Sequence, residues 1–196
     1  MIIYFDIETV KDTNIIKNYN IDKLKKKYGE KLNFSPETTK IVTITVWTTT
    51  KEWNVIKNLK WTEKEQIKSF FKAIKWNIIC WFNIKWFDLP FIIKRAIYYK
   101  IRIPDELKMF WKKPREMENI IDLLEVYRYW VFWSIWNLDL ICNFLWIISP
   151  KDENIDWWQV QRYFDEWKTN EILEYCQRDV EATIRVYDYF REYNLI

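Results

Sequence analysis

A chain of 196 residues, 49% hydrophobic and 30% charged, is long enough to bury one core and too short for a multi-domain machine. It contains no His, which excludes Ser-His-Asp and Cys-His triads, imidazole general bases and His-ligated zinc. Its three Cys form no C-x-x-C pair and suggest neither a disulfide framework nor a thiolate metal site, and its net charge of +3 neither demands nor excludes a polyanionic partner.

Residues 2–7 (IIYFDI) are β-branched and aromatic, the profile of a buried strand. They follow directly on Met1, where a cleavable leader would need a basic region, and no apolar run is long enough to cross a membrane. A reducing cytoplasm is the expected location. Residues 10–36 are polar and Lys-rich and read as an insertion holding a short solvated helix. Residues 41–50 alternate apolar side chains with Thr, and 55–59 follow after a turn, which predicts an antiparallel hairpin. Thr62 and Glu65 form a capping box that opens a helix through Ile74. Residues 78–82 read as a second buried strand, and Pro90 marks the first turn of a helix reaching about Tyr99. After a Pro-punctuated basic loop, 104–115, the apolar run 120–126 fits a strand or a helix equally. Three helices are expected beyond it: 137–146 from an Asn137 cap, 156–166 from an Asp156/Gln159 capping box, and 169–192. This order is that of an α/β fold, with a mixed central sheet containing an antiparallel hairpin and flanked by helices. No repeat or linker divides the chain, so residues 1–196 read as a single domain.

Four acids sit where a core would not choose them. Asp6 and Glu8, in YFDIET, are two apart on a strand and project from the same face, where like charges repel unless a cation lies between them. Asp88, in FNIKWFD, stands just beyond the second strand, where it would also serve as an ordinary helix cap. Tyr175 and Asp179, in YCQRD, share one face of the last helix with Ile172, Cys176, Thr183 and Val186, so the pair points toward apolar packing and the carboxylate needs a partner. Separately each motif is weak. Together they compose an all-oxygen site of the kind that holds two Mg²⁺ or Mn²⁺ ions and supports in-line attack of water on a phosphodiester.

The order D-x-E, N-x-x-x-F-D, Y-x-x-x-D resembles the three exonuclease motifs of DEDDy-type 3′→5′ exonucleases, which include the proofreading domains of family-B DNA polymerases. The resemblance covers nearly the whole chain and is closest to stand-alone relatives of that proofreading domain. It implies a ribonuclease H-like fold, with Asp6, Glu8, Asp88 and Asp179 as ligands of two metal ions and Tyr175 positioning the attacking water. It also implies that Thr9, Asn83 and Phe87 line the pocket for the 3′-terminal nucleotide. The sister subclass carries His one position before Tyr175, where this chain has Glu174. The expected substrate is the 3′ end of single-stranded DNA, in repair or beside a separate DNA polymerase, with no membrane partner. An exoribonuclease trimming RNA and a non-catalytic nucleic-acid-binding module of the same fold are the alternatives. Lys85, Lys94, Arg95, Arg178 and the basic residues of 108–115 are candidate phosphate contacts.

The chain has 14 Trp and one Gly, Gly29, whereas average usage predicts roughly 14 glycines. Core packing or base stacking would place Trp on apolar faces or in a groove. Instead Trp53 falls at the hairpin turn, Trp61 just before the Thr62 cap, and Trp76, Trp146 and Trp167 just past helix ends. Trp81 and Trp86 flank Asn83, while Trp130, Trp133 and Trp136 punctuate one loop. Positions of this kind favour Gly because positive φ is cheap only there. The expectation is a gene that uses UGA for Gly and was translated with UGA as Trp. The abundance of Ile, Lys and Asn, served by A/T-rich codons, is a fitting background.

Overall fold

The computed structural model describes residues 1–17, 20–49, 54–58, 62–108, 117–129, 131, 137–151 and 159–196. The first strand, β1 (Ile2–Lys11), is longer than its apolar core predicts because it continues through Glu8 and past a bulge between Glu8 and Thr9. The insertion therefore starts at Asp12. It holds α1 (Thr13–Ile16), α2 (Ile21–Tyr28) and a 3₁₀ turn (Gly29–Phe34), with Gly29 at φ 58°, before β2 (Thr39–Thr49) pairs antiparallel with β1. β3 (Asn54–Asn58) completes the expected hairpin.

Next come α3 (Glu63–Ala73), opened by the Thr62/Glu65 capping box, and β4 (Ile78–Trp81), parallel to β1. α4 (Asp88–Tyr98) begins at Asp88 itself; its N-cap is Phe87, so Asp88 is not the capping residue. The ambiguous run 120–126 is both things in turn: β5 (Ile120–Asp122), parallel to β4, then α5 (Leu123–Arg128). Asp122 marks the change by accepting a hydrogen bond from the Leu124 N–H as a helix cap. α6 (Leu138–Phe144), α7 (Val160–Asp165) and the long α8 (Thr169–Glu192) follow. The Asp156 cap, Trp53, Trp61, Trp130, Trp133, Trp136 and most of the basic loop 108–115 lie outside the described residues.

The sheet order is β3-β2-β1-β4-β5, antiparallel on one side of β1 and parallel on the other. The period-2 pleat of β1 sorts its side chains. Phe5 packs on Phe70 of α3, with ring centroids 4.5 Å apart, while Tyr4 meets Tyr187 of α8 at 5.5 Å. Asp6 and Glu8 share the parity of Tyr4 and so face α8. β2 outruns β3, and side chains of α3 satisfy its free edge. Glu63 accepts from the Ile41 N–H at 2.8 Å, and Gln66 accepts from Ile44 and donates to the Val42 carbonyl, both at 2.9 Å.

Arg95, 1% exposed, ties the insertion to this frame. It donates to Glu63, to Asp12 at 2.8 Å and to the Pro36 carbonyl at 3.2 Å. Two carboxylates and a carbonyl occupy its donors, which removes Arg95 from the candidate phosphate contacts. Lys85 is removed likewise: it is buried and paired with Glu125 at 3.0 Å.

Three of the six described tryptophans, Trp76, Trp146 and Trp167, adopt positive φ of 64°, 58° and 59° and are 81%, 96% and 87% exposed. At the end of α6 the Ile147 N–H donates to the Cys142 carbonyl and the Trp146 N–H to Asn143. At the end of α7, Lys168 donates to Tyr163 and Trp167 to Phe164. Both are Schellman closures in which the tryptophan holds the position that glycine usually fills. Trp47, Trp81 and Trp86 have ordinary backbone geometry: the first two lie in strands and Trp86 in the turn before α4.

Candidate active site

β1, the turn between β4 and α4, and α8 converge on an open cleft of about 670 Å³. Asp6, Glu8, Thr9, Asn83, Phe87, Asp88, Tyr175 and Asp179 all line it. Asp6, Glu8 and Asp88 are buried and Asp179 is half-buried. Asn83 sits in the left-handed region at φ 61°, which turns the chain sharply after β4, and its Oδ1 is buried with no hydrogen-bond partner.

The carboxylates perturb one another. Burial, followed by the charges of Glu8, Asp179 and Asp88, pushes the Asp6 carboxyl well above its ordinary value of 3.8. Glu8 is raised by burial and by Asp179 and Asp88, and Asp88 by burial and then by Asp122 and Asp179. Burial pushes Asp179 up to about 7, opposed by the Lys151 charge, a hydrogen bond from Tyr175 and the Arg178 charge. Burial and the same carboxylates hold the Tyr175 phenol far above its usual range, so at neutral pH it is a hydroxyl that donates to Asp179.

Acids that raise one another's proton affinity in a shared cleft are short of positive charge, and hard oxygen donors without imidazole suit Mg²⁺ or Mn²⁺. Ligating carboxyls must first lose their protons. Mn²⁺ binding, followed by the loss of the free-ion resonance, should therefore tighten as pH rises through about 7, where Asp179 ionises. Equal midpoints at pH 6 and pH 8 would show that no carboxyl ionising in this range takes part in binding.

Cys176 is a neighbour that residue patterning assigned to apolar packing. Its Sγ lies 3.3 Å from Asp6 Oδ2, and ligand atoms of Asp6, Glu8 and Cys176 fall within 4.8 Å of one another. Burial and the adjacent carboxylates push the thiol well up, so it is a weak S–H donor to Asp6 rather than a thiolate ligand. Among the described residues the basic side chains along the cleft are Lys11 and Lys151, and an aromatic from the insertion, Phe34, also lines it, edge-on to Phe87 at 6.2 Å. Lys94 is at the surface with Glu37, and Arg178 does not line the cleft. Lys11 and Lys151 were hidden from sequence reading because one lies past a strand end that looked like loop and the other far along the chain.

The family described as "Predicted 3'-5' exonuclease related to the exonuclease domain of PolB" matches residues 33–194. The chain belongs to this family. The match begins after β1, so Asp6 and Glu8 lie outside it and join the site through the sheet. The fold is similar to that of the family B DNA polymerase from the hyperthermophilic archaeon Pyrobaculum calidifontis, with a TM-score of 0.66 and 15% sequence identity. The similarity covers 99% of this chain and 25% of the polymerase. The chain thus spans a quarter of the polymerase's length, and at that identity the likeness establishes the fold, a mixed sheet of ribonuclease H-like type. No curated protein matches the chain. No described helix of this exonuclease-family chain is long and apolar enough to cross a membrane.

Proposed function

We propose that the chain is a metal-dependent 3′→5′ exonuclease acting on the 3′ end of single-stranded DNA, as one domain over residues 1–196. The observation that carries this reading is the convergence of Asp6, Glu8, Asp88 and Asp179 with a protonated Tyr175 in one open cleft. Those four carboxylates would hold two divalent ions, Mg²⁺ or Mn²⁺, which would supply an activated water and stabilise the leaving 3′ oxygen. The Tyr175 hydroxyl, anchored on Asp179, orients the attacking water. Phe87 offers an aromatic face to the terminal base, Asn83 Oδ1 an unused acceptor, and Thr9 a hydroxyl at the bulged end of the strand that carries the acids. Lys11 and Lys151 are placed to meet phosphates. None of these groups forms a base-reading pattern, so little sequence preference is expected. A role in repair, or beside a separate polymerase in the cytoplasm, is consistent with this chemistry.

Incubation with 5′-labelled single-stranded DNA and matched RNA, with Mg²⁺ or EDTA, tests the reading. A metal-dependent ladder on DNA is expected; a preferred ladder on RNA would reassign the substrate, and no ladder on either would reject the enzyme. Tyr175→Phe should lower kcat at saturating metal by about 10²-fold, the lower end of what a positioned proton-transfer group contributes, and should weaken metal binding near pH 7, because the hydrogen bond that helps Asp179 ionise is lost. Full activity would show that the hydroxyl has no part in orienting water.

We also propose that Trp76, Trp146 and Trp167 mark glycine positions, decoded from UGA in the native gene. The positive φ and exposure of all three support it. The coding DNA decides: UGG at these codons would end the proposal.

A further inference from the structure

The turn that delivers Asn83, Phe87 and Asp88 to the cleft is itself held from behind. Within it, the Trp86 and Phe87 N–H groups donate to the Asn83 carbonyl at 3.2 and 3.1 Å, and the Leu89 N–H donates to the Ile84 carbonyl at 3.1 Å. It moves as a unit. Asp122, at the end of β5 and opposite Trp81 of β4, is 2% exposed and is not among the side chains lining the cleft. Its Oδ1 accepts from the Asn83 N–H at 2.9 Å and from the Leu124 N–H at 3.1 Å, and its Oδ2 accepts from the Lys85 N–H at 3.1 Å.

Capping α5 does not require a buried charge, because Asn and Ser cap as well as Asp. The turn does require one. Two N–H groups converge on opposite oxygens of the same side chain, and only a carboxylate offers an acceptor at both. The geometry points to Asp122 as a positioning residue of the cleft: it fixes the turn that sets Asn83 and Asp88 against Asp6, Glu8 and Asp179 while touching neither substrate nor metal. The role rests on the exonuclease reading; the hydrogen-bond anchor does not.

Asp122→Asn separates the two uses of the side chain. The amide oxygen keeps the contacts to Leu124 and Asn83, while the NH₂ group meets the Lys85 N–H donor to donor. Asp122→Ser keeps a capping hydroxyl and is too short for the turn. Amide hydrogen exchange should show Lys85 losing protection in the Asn variant, both Asn83 and Lys85 in the Ser variant, and Leu124 in neither. The Mn²⁺ midpoint should rise about 10- to 100-fold, the usual cost of losing support behind a metal ligand, and excess Mn²⁺ should restore part of kcat. A helix cap alone would move none of these in the Asn variant, so wild-type exchange and midpoint there would overturn the proposal. So would lost protection at Lys85 with unchanged midpoint and kcat. Unprotected Asn83 and Lys85 amides in the wild-type protein would overturn it without any variant. Protected amides in a wild type that neither binds Mn²⁺ nor cuts a strand would instead sink the exonuclease reading, and with it the positioning role.

Discussion

Asp179→Asn is expected to abolish exonuclease activity and, in the same molecule, to raise the melting temperature of the metal-free protein at pH 8. The loss follows from removing a charged ligand, about 10² to 10³-fold or more by comparison with other positioned charge-stabilising groups. The gain follows from linkage. In the folded chain the Asp179 carboxyl ionises near 7, against an ordinary 3.8. Below the ordinary value both folded and unfolded chains carry the proton, and the group costs nothing. As pH rises from there the unfolded chain ionises first, so folded stability falls until the folded carboxyl has ionised too, above about 7. Asn never ionises. The difference in melting temperature should therefore be near zero at pH 4 and reach several degrees at pH 8 in EDTA, at about 2–4 °C per kcal/mol for a chain of this size. Added Mg²⁺ should narrow or reverse it, because only the wild type gains a full ligand set. A variant that melts at or below wild type at pH 8 in EDTA would show that the cleft does not strain this carboxylate.

That trade between stability and chemistry explains which parts of the site were legible from residue patterns. Asp6, Glu8 and Asp88 stood out as acids at the end of an apolar run and Asp179 as an acid on the apolar face of a helix, placements with a cost that patterning can register. Asp122 meets the first of these descriptions, yet it fell inside a run, 120–126, that fits strand and helix equally. Its role depends on the parallel register of β5 against β4, which no local pattern contains. Cys176 failed for the opposite reason: a Cys on an apolar helix face looks like packing until the sheet brings Asp6 to 3.3 Å. Basic residues were the least readable. Arg95 and Lys85 lie close to the motifs in sequence but turn into the core, each toward an acid that arrives from elsewhere. The strands and helices were easier, since periodicity and caps are local. Even there β1 ran four residues past its apolar stretch, to Lys11, because pairing with β2 carries polar residues along.

Restoring glycine at Trp76, Trp146 and Trp167 together should stabilise the protein by roughly 2 kcal/mol. A side chain in the left-handed region costs about 1–2 kcal/mol per residue, and the added freedom of glycine in the unfolded chain returns about 0.5–1 kcal/mol of that. Little packing is lost to offset the gain, because all three indoles are more than four-fifths exposed and Trp76 gives up only a surface contact with the Lys75 ammonium, 5.7 Å from its ring. At about 2–4 °C per kcal/mol the triple variant should melt roughly 4–8 °C higher. Removing large exposed apolar surfaces should also reduce self-association at high concentration. The control is chosen by geometry rather than residue type. Trp81 is 4% exposed, sits in β4 with ordinary backbone angles and lines the cleft, so Trp81→Gly in the same protein should destabilise it by opening a cavity. If the triple variant melted no higher than the parent, the left-handed strain at these helix ends would be absent. The case for glycine there would then rest on composition alone.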